Sequence, residues 1–265
     1  MNNLLKYIKS YKQDIYIIVS IVIVLLISYI IYKMNSNEIK KSNRIAVCTW
    51  YDDGIKKYAD IARDINQKYC DLHGYEFIVK HDRKLRERQQ QWECIPTVLE
   101  LVNTGNYDYI VWIDADAVFR LNHKNFNLLE NIIDDNNNKN IILSADTVGY
   151  DIINTGIFIV KSNNYTKDIL QQIIDSKDEK CMKYNEWGHE QECMTYFYKD
   201  NINNFKDNTV ILEEGILQSW HKANNNIQKE YNNSLILHLA GVNNDDRYKI
   251  FKNLKEDYYL NYFIH

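Results

Sequence analysis

A long apolar run near the start of the chain is its strongest hydrophobic feature. Residues 15–32 contain no charged side chain and are interrupted only by two serines. As an α-helix rising about 1.5 Å per residue, the run would be roughly 27 Å long, close to the thickness of the hydrocarbon core of a bilayer. It is longer than the apolar part of most signal peptides, and no small-residue cleavage pattern follows it. The pattern therefore predicts an uncleaved transmembrane signal anchor.

The predicted anchor separates two polar stretches and one large domain. Residues 1–14 form a short N-terminal tail, and residues 33–43 form a polar stem without apolar periodicity. Residues 44–265 are long enough to bury one substantial core, which predicts a single folded domain. Lysines flank the anchor on both sides, so charge alone leaves its orientation open.

The first part of the large domain alternates short apolar runs with segments of helical periodicity. The predicted order is strand, helix, strand, helix, strand, at residues 44–51, 58–72, 75–80, 92–102 and 109–113. The last of these runs is apolar at every position, which is typical of a strand covered on both faces. An alternation of this kind predicts a Rossmann-like half with a parallel sheet.

In the second part of the domain, strand-like and helical segments alternate less regularly. Strands are predicted on either side of a turn at Asn154-Thr155-Gly156, and helices and a further strand follow. The predicted strands are residues 141–144, 157–161 and 235–239, and the predicted helices are residues 165–176 and 188–198. The fold class predicted from the whole pattern is α/β, with a Rossmann-like half and a mixed second half.

Composition excludes some functions. A net charge of −4 and a pI near 6.0 provide no basic field for attracting nucleic acid, so no nucleic-acid partner is expected. The five cysteines contain no Cys-x-x-Cys pair, which argues against a zinc cluster and a dithiol redox site. Buried free thiols are expected, with one disulfide possible if the domain is lumenal.

Two acidic residues directly follow the third predicted strand. The carboxyl ends of strands in open α/β sheets are where ligands bind, and both Asp114 and Asp116 would lie at that edge. Two carboxylates one residue apart can share a divalent cation, which in turn can hold a diphosphate. Acidic pairs in loops are usually only solvated, but the position after a fully apolar strand favours a functional site.

Short motifs recur in a definite order along the domain. They are residues 69–75 (YCDLHGY), 92–96, 109–119 (YIVWIDADAVF), 154–158 (NTGIF), 188–191 (GHEQ) and 238–241 (HLAG). Their order and spacing resemble glycosyltransferase family 34, which contains fungal α-galactosyl- and mannosyltransferases and plant xyloglucan xylosyltransferases. The resemblance covers about residues 44–250.

The resemblance implies a GT-A fold, as in nucleotide-diphospho-sugar transferases. It further implies a single-pass type II membrane protein with its domain in the Golgi or ER lumen. The implied reaction transfers a hexosyl or pentosyl group from a nucleotide-sugar donor to a glycan or glycoprotein acceptor, with retention at the anomeric carbon. The implied cofactor is Mn²⁺, or another divalent cation such as Mg²⁺.

Site residues follow from the same resemblance. It implies that Asp114, Asp116 and His238 bind the metal, and that Asp114 also contacts the donor. Gln191 matches the position beside the anomeric centre of the sugar, and Glu190 matches an acid that binds sugar hydroxyls. Without the resemblance, His238 would more often be a core histidine, and Glu190 and Gln191 the polar first turn of a helix.

Further substrate-binding residues are implied at the turn and in the last motif. Asn154, Thr155 and Gly156 resemble a turn that passes close to the bound sugar, although a plain strand connection would also use a glycine. Gly241 closes the last motif and is expected to contact the substrate.

The chain departs from the family where lysines help to hold the diphosphate. Glu93 occupies one such region, and residues 242–244 occupy the other. We expect Arg247 to supply the missing positive charge, with Lys80 and Arg88 as alternatives.

Two other classes of protein remain open from the sequence. Haloacid-dehalogenase phosphatases also place Asp-x-Asp after an apolar strand, with the first Asp as nucleophile. That motif normally follows the first strand of its domain, however, whereas Asp114 follows the third predicted strand here. The second alternative is a catalytically inactive, membrane-tethered sugar-binding protein of the same fold, which the missing lysines would allow.

Overall fold

The computed structural model describes residues 21–28, 43–120, 128–146, 153–182, 189–213, 215–220 and 234–262. The chain divides into two compact units, Met1–Ser42 and Asn43–His265. In the first unit residues 21–28 are helical and exposed. None of the described helices combines the length and the apolar character needed to span a bilayer. Most of the predicted anchor at 15–32 lies outside the described residues, as do the tail and nearly all of the stem, so these remain predictions.

The first half of the large unit has the predicted alternation. Its elements are β1 (Ile45–Trp50), α1 (Lys56–His73), β2 (Glu76–Lys80), a 3₁₀ helix (Gln90–Glu93), α2 (Cys94–Thr104) and β3 (Tyr109–Ile113). Gly74 and Gly105 terminate α1 and α2 with φ of 71° and 67°, a left-handed conformation that side chains disfavour. The predicted Rossmann-like half is therefore confirmed.

The second half is mixed, as predicted, but contains more elements than the pattern indicates. These are β4 (Ala117–Phe119), α3 (Leu128–Asp135), β5 (Ile141–Ala145), β6 (Ile153–Lys161), α4 (Asn164–Asp175), α5 (Glu179–Met182), α6 (His189–Lys199), a 3₁₀ turn (Ile202–Asn204), β7 (Thr209–Leu212), β8 (Gln218–Trp220), β9 (Ile236–His238) and α7 (Asn244–Tyr262). The sequence pattern does not predict β4, α3, α5, β7, β8 or α7. Of these, β4, α5, β7 and β8 have only three or four residues, which are too few to show a period.

The main sheet has six strands in the order β2-β1-β3-β6-β5-β7. Strand β1 pairs in parallel with β2 and β3, whereas β6 runs antiparallel to both β3 and β5. Ile110 and Trp112 of β3 join one hydrophobic cluster, while Val111 and Ile113 join another. Because both faces of β3 are covered, every residue of the strand is apolar.

A second, three-stranded sheet has the order β4-β9-β8 and begins just after β3 ends. In the antiparallel pair of β4 and β9, His238 lies opposite Ala117. The buried amide of Asn66 in α1 holds the other edge of β4, donating to the carbonyl of Ala117 at 3.0 Å and accepting from the N–H of Phe119 at 2.9 Å. This small sheet therefore brings a distant part of the chain to the Asp114–Asp116 turn.

The prediction of a turn at Asn154–Gly156 is wrong, because β6 already begins at Ile153. Along β5, Leu143 pairs with Phe158, but the next residue, Ser144, pairs with Asn154. Residues 155–157 therefore bulge out of the ladder with β5. Bulges bend a strand and redirect side chains, commonly beside active sites. Gly156 therefore lies in a bulged strand, and its backbone is not in the left-handed conformation.

Candidate active site

The Asp114–Asp116 segment forms a tight turn between β3 and β4. The N–H of Ala117 donates to the carbonyl of Asp114 at 3.0 Å, and the N–H of Asp114 donates to the carbonyl of Gly156 at 2.8 Å. The indole N–H of Trp112 donates to Asp114 Oδ1 at 2.9 Å. These bonds fix the turn and the Asp114 carboxylate at the carboxyl edge of the main sheet.

His238 completes the predicted cluster. Its Nε2 lies 3.2 Å from Asp116 Oδ1 and 3.8 Å from Asp114 Oδ2. One ligand atom from each of the three residues lies within 4.8 Å of the others. Within the described residues, the fold thus brings together the three side chains that the resemblance implies as metal ligands.

Gln218 orients the imidazole of His238. Gln218 Oε1 lies 2.8 Å from His238 Nδ1, and both residues are buried. Since an amide oxygen only accepts, Nδ1 carries a hydrogen and Nε2 is the atom turned toward the carboxylates. A hydrogen bond of this kind holds an imidazole in the orientation and tautomer that a metal ligand needs. Sequence reasoning missed Gln218, because nothing local distinguishes it.

Gly156 leaves space beside the cluster. A Cβ atom at this position would lie 2.3 Å from His238 Cε1 and 2.9 Å from Asp114 Oδ2. Such distances are incompatible with van der Waals packing, so only glycine allows β6 to approach both ligands. Two carboxylates and an imidazole around a protected space suit a divalent cation such as Mn²⁺. The residues present therefore fit the implied metal.

The cluster is electrostatically coupled. Burial and the neighbouring Asp116 carboxylate raise the pKa of Asp114 to about 7. Burial acts in the same direction on Asp116, yet His238 and Arg247 hold the pKa of Asp116 below its ordinary value. For His238, burial favours a lower pKa, but the two carboxylates outweigh it and the pKa is raised. Because metals bind deprotonated ligands, the raised pKa values of Asp114 and His238 favour cation binding at higher pH.

Glu190 and Gln191 lie in the first turn of α6 and contact the bulge of β6. The hydroxyl of Thr155 donates to Glu190 Oε1 at 3.0 Å, and the N–H of Thr155 donates to Gln191 Oε1 at 3.2 Å. Glu190 is 8% exposed, and its Oε2 has no hydrogen-bond partner among the described residues. A buried unsatisfied oxygen in a cleft is suited to a ligand hydroxyl.

Glu190 should make stability depend on pH. Burial and the charge of Asp114 raise its pKa to about 8, against 4.5 ordinarily. The folded state therefore binds this proton more tightly, so the contribution to stability is full below pH 4.5 and is lost as pH rises toward about 8. We expect Glu190→Gln to raise the free energy of unfolding relative to wild type by about 3 kcal/mol near neutral pH, at roughly 1.4 kcal/mol per pKa unit.

Denaturant unfolding of both proteins in EDTA, at about pH 5 and about pH 8.5, measures this difference. The stability gained by Glu190→Gln should be larger at the higher pH. Asp175→Asn, at an exposed position in α4, is the matched control and should show no such change. Equal differences between variant and wild type at both pH values would contradict the raised pKa.

A cleft of about 460 Å³ contains all of the predicted site residues. These are Asp114, Asp116, Asn154, Thr155, Gly156, Glu190, Gln191, His238, Gly241 and Arg247. Trp50, Asp52, Tyr58, Gln90 and Gln91 also line the cleft, and none of them was predicted from the sequence. Trp50 and Asp52 could have been found, because they end β1 at the same sheet edge as Asp114. The glutamines offer no comparable signal.

Arg247 faces the cluster from α7. Its Nη2 lies 2.5 Å from Asp116 Oδ2, its Nη1 donates to the hydroxyl of Tyr58 at 3.1 Å, and its Nε donates to the carbonyl of Leu239 at 3.2 Å. The side chain is 16% exposed. The structure therefore places this guanidinium in the cleft, where the sequence analysis expects a cation.

Lys80 and Arg88, the alternative cations, do not line this cleft. Lys80 Nζ donates to Glu100 at 3.0 Å. Arg88 is buried, donates to the carbonyl of Cys181 at 2.7 Å and lies over the ring of Trp92. Their assignment to the diphosphate is wrong, because Lys80 is paired with Glu100 and Arg88 is buried between neighbouring helices, both outside the cleft.

Glu93 stands in a region where the resemblance leads us to expect a lysine, and it has a structural role. It is fully buried, and its two carboxylate oxygens accept hydrogen bonds from the N–H groups of Lys84 and Leu85 at 2.9 and 2.8 Å. Through these two hydrogen bonds, Glu93 stabilises the backbone of the segment after β2.

One disulfide joins α5 to α6. It links Cys181 to Cys193, while Cys48, Cys70 and Cys94 are free and buried. This agrees with the expectation of buried thiols and one possible disulfide. Since Cys193 lies one turn after Glu190 and Gln191, the bond anchors the helix that presents them.

Comparison with known proteins identifies the family. A family model described as the galactosyl transferase GMA12/MNN10 family matches residues 41–151 and 122–249. An uncharacterised alpha-1,2-galactosyltransferase of Schizosaccharomyces pombe is 24% identical over an alignment of 174 positions that covers 53% of this chain. The match spans 49% of the relative, about half of its length.

Solved structures share the fold. A glycosyltransferase involved in the glycosylation of the major capsid of PBCV-1 matches with a TM-score of 0.62 and 17% identity, over 79% of this chain and 98% of its own. The galactosyltransferase LgtC, in complex with donor and acceptor sugar analogs, matches with a TM-score of 0.51 and 13% identity, over 80% of this chain and 95% of its own. At this level of identity the likeness concerns the fold, which is GT-A.

These matches bear out the resemblance and leave the phosphatase alternative without support. In a phosphatase of that class the acidic motif would follow the first strand of the domain, whereas Asp114 follows the third strand here. The chain belongs to the galactosyl transferase GMA12/MNN10 family, which is glycosyltransferase family 34.

Proposed function

We propose that this protein is a divalent-metal-dependent glycosyltransferase. It transfers a hexosyl or pentosyl group from a nucleotide-diphosphate sugar to a glycan or glycoconjugate acceptor, with retention of configuration. One observation carries the proposal: the Asp114, Asp116 and His238 cluster shares a cleft with Glu190 and Gln191. Family membership supports the reaction type. Retention of configuration is proposed because the resemblance of the motifs implies it.

The chain's own residues account for binding the donor diphosphate. Asp114, Asp116 and His238 would hold the cation, which when bound neutralises charge that develops on the leaving nucleotide. Arg247 adds a fixed guanidinium that can donate to phosphate oxygens. The cleft, at about 460 Å³, has the size of a typical small-ligand site.

The sugar would lie against Thr155, Glu190 and Gln191. Because its pKa is raised to about 8, Glu190 is protonated at neutral pH and can donate as well as accept hydrogen bonds. Its unpartnered Oε2 suits a sugar hydroxyl. Gln191, whose amide is held by the N–H of Thr155, would be the polar group nearest the anomeric centre.

We further propose a type II membrane protein with its catalytic domain in the Golgi or ER lumen. The apolar run at 15–32 supports the anchor. The Cys181–Cys193 disulfide supports an oxidising compartment, where such bonds persist.

A donor screen tests the proposed function. The full-length chain is incubated in mild detergent with Mn²⁺ or Mg²⁺ and a panel of nucleotide sugars carrying galactose, glucose, mannose or xylose. Metal-dependent release of nucleoside diphosphate from one donor supports the proposal. Tight binding of a nucleotide sugar without release would favour the inactive sugar-binding alternative, and neither binding nor release would refute both.

Arg247→Ala should weaken donor binding. Hydrogen bonds to charged groups contribute about 1.5 to 3 kcal/mol, so we expect the Kd for the nucleoside diphosphate to rise about 10- to 100-fold at saturating Mn²⁺. Calorimetry measures this. Lys249→Ala is the matched control, because Lys249 lies on the same helix with its side chain 70% exposed. An unchanged Kd for Arg247→Ala would remove this residue from the donor site.

A further inference from the structure

The amide of Gln191 is held at both ends. Its Nε2 donates to Asp146 Oδ2 at 3.1 Å, and its Oε1 accepts from the N–H of Thr155 at 3.2 Å. A carboxylate only accepts and a backbone N–H only donates. A flipped amide would set NH₂ against N–H and oxygen against oxygen, so these two partners permit one orientation.

Asp146 also connects Gln191 to the bulged strand. It directly follows β5, and the same Oδ2 atom lies 3.5 Å from Nδ2 of Asn154. Asn154 in turn accepts the N–H of Gly156 at 3.0 Å through its Oδ1. One carboxylate oxygen thus links the first turn of α6 to the part of β6 that lies beside Asp114 and His238.

We propose that Asp146 is a positioning residue for the transfer reaction. It holds the Gln191 amide in the single orientation that directs Oε1 toward the bulge and the cleft. Asp146 is absent from the cleft wall and acts through Gln191. The inference rests on the proposed function, because it assigns Gln191 a place beside the reacting sugar.

Two substitutions at Asp146 distinguish a positioning role of its side chain from a role of its charge. Asp146→Asn can place its carbonyl oxygen where Oδ2 lies and accept from both amides, whereas Asp146→Ala offers no acceptor. A displacement of about 1 Å at a reacting centre can lower the rate about 100-fold. We therefore expect Asp146→Ala to lower kcat by about 30- to 100-fold with the donor KM changed less than about 3-fold, and Asp146→Asn to retain kcat within about 3-fold.

A second measurement observes the amide directly. In the ¹⁵N-labelled full-length chain, Gln191→Glu identifies the side-chain NH₂ signal of Gln191 by removing it. Exchange of this NH₂ with solvent should be at least about 10-fold faster in Asp146→Ala than in wild type or Asp146→Asn, since protection reports the hydrogen bond.

The possible outcomes are distinct. Unchanged exchange in Asp146→Ala overturns the proposal, as does an unchanged kcat, or a kcat that falls equally in the alanine and asparagine variants. If wild type releases nucleotide from no donor, the proposed function fails, while the exchange measurement still decides whether Asp146 orients Gln191.

Discussion

Asp116→Asn is expected to abolish metal-dependent nucleotide release, with a loss of at least about 100- to 1000-fold in kcat, as when an electrostatic stabiliser is removed from an active site. The substitution preserves shape but removes the charge that faces His238 at 3.2 Å and Arg247 at 2.5 Å. The affinity for Mn²⁺ should fall together with activity, because a neutral amide is a poor substitute for a carboxylate ligand.

Metal titration and thermal unfolding separate this effect from misfolding. Mn²⁺ binding, followed by electron paramagnetic resonance, should be weakened in Asp116→Asn, while circular dichroism stays that of wild type. Asp175→Asn removes an acid of the same kind from the exposed surface of α4 and should retain both binding and activity. A folded Asp116→Asn protein that binds Mn²⁺ with wild-type affinity would rule out the proposed metal site.

Gly156→Ala should have an effect of similar size without altering any charged group. The added Cβ would lie 2.3 Å from His238 Cε1 and 2.9 Å from Asp114 Oδ2, so at least one ligand must move. Displacement of about 1 Å in a catalytic group can cost about 100-fold in rate. We expect a loss of about 100-fold or more in activity, with a parallel loss of Mn²⁺ affinity.

The matched control lies in the same strand. Ile159→Val removes one methylene from the core and should cost about 1 kcal/mol of stability while retaining Mn²⁺ affinity. Gly156→Ala should have the opposite effect: Mn²⁺ affinity should fall while the secondary structure is retained. If Gly156→Ala bound Mn²⁺ normally, the close approach of β6 would have no functional importance.

Local sequence patterns were sufficient to predict the first half of the fold. Strand β3 is covered on both faces, so its five apolar residues form an uninterrupted run, and Asp114 follows the point where that run ends. Glycines after α1 and α2 end those helices because they adopt left-handed backbone angles. The order of the motifs was sufficient to recognise the family and to name nine of the ten predicted residues that line the cleft. The tenth, Arg247, was expected from the missing lysines instead.

Local sequence patterns did not predict the strand pairing or the long-range contacts. The break in register between Leu143 and Ser144 turns an expected turn into a bulged strand, and no local pattern encodes it. Arg88 and Arg247 carry the same charge, yet one caps helix-end carbonyls and the other faces Asp116. Which of two cations reaches a site depends on the packing of their elements.

The sequence therefore determined the order of elements in the first half of the domain, the acidic pair after β3 and the family of this protein. Only the tertiary structure selected the partners: Gln218 behind His238, Asp146 behind Gln191, and Gly156 between the ligands. The physical reason is separation along the chain. Periodicity and caps arise from neighbouring residues, whereas these contacts join residues 20 to 82 positions apart and form only when the sheets assemble.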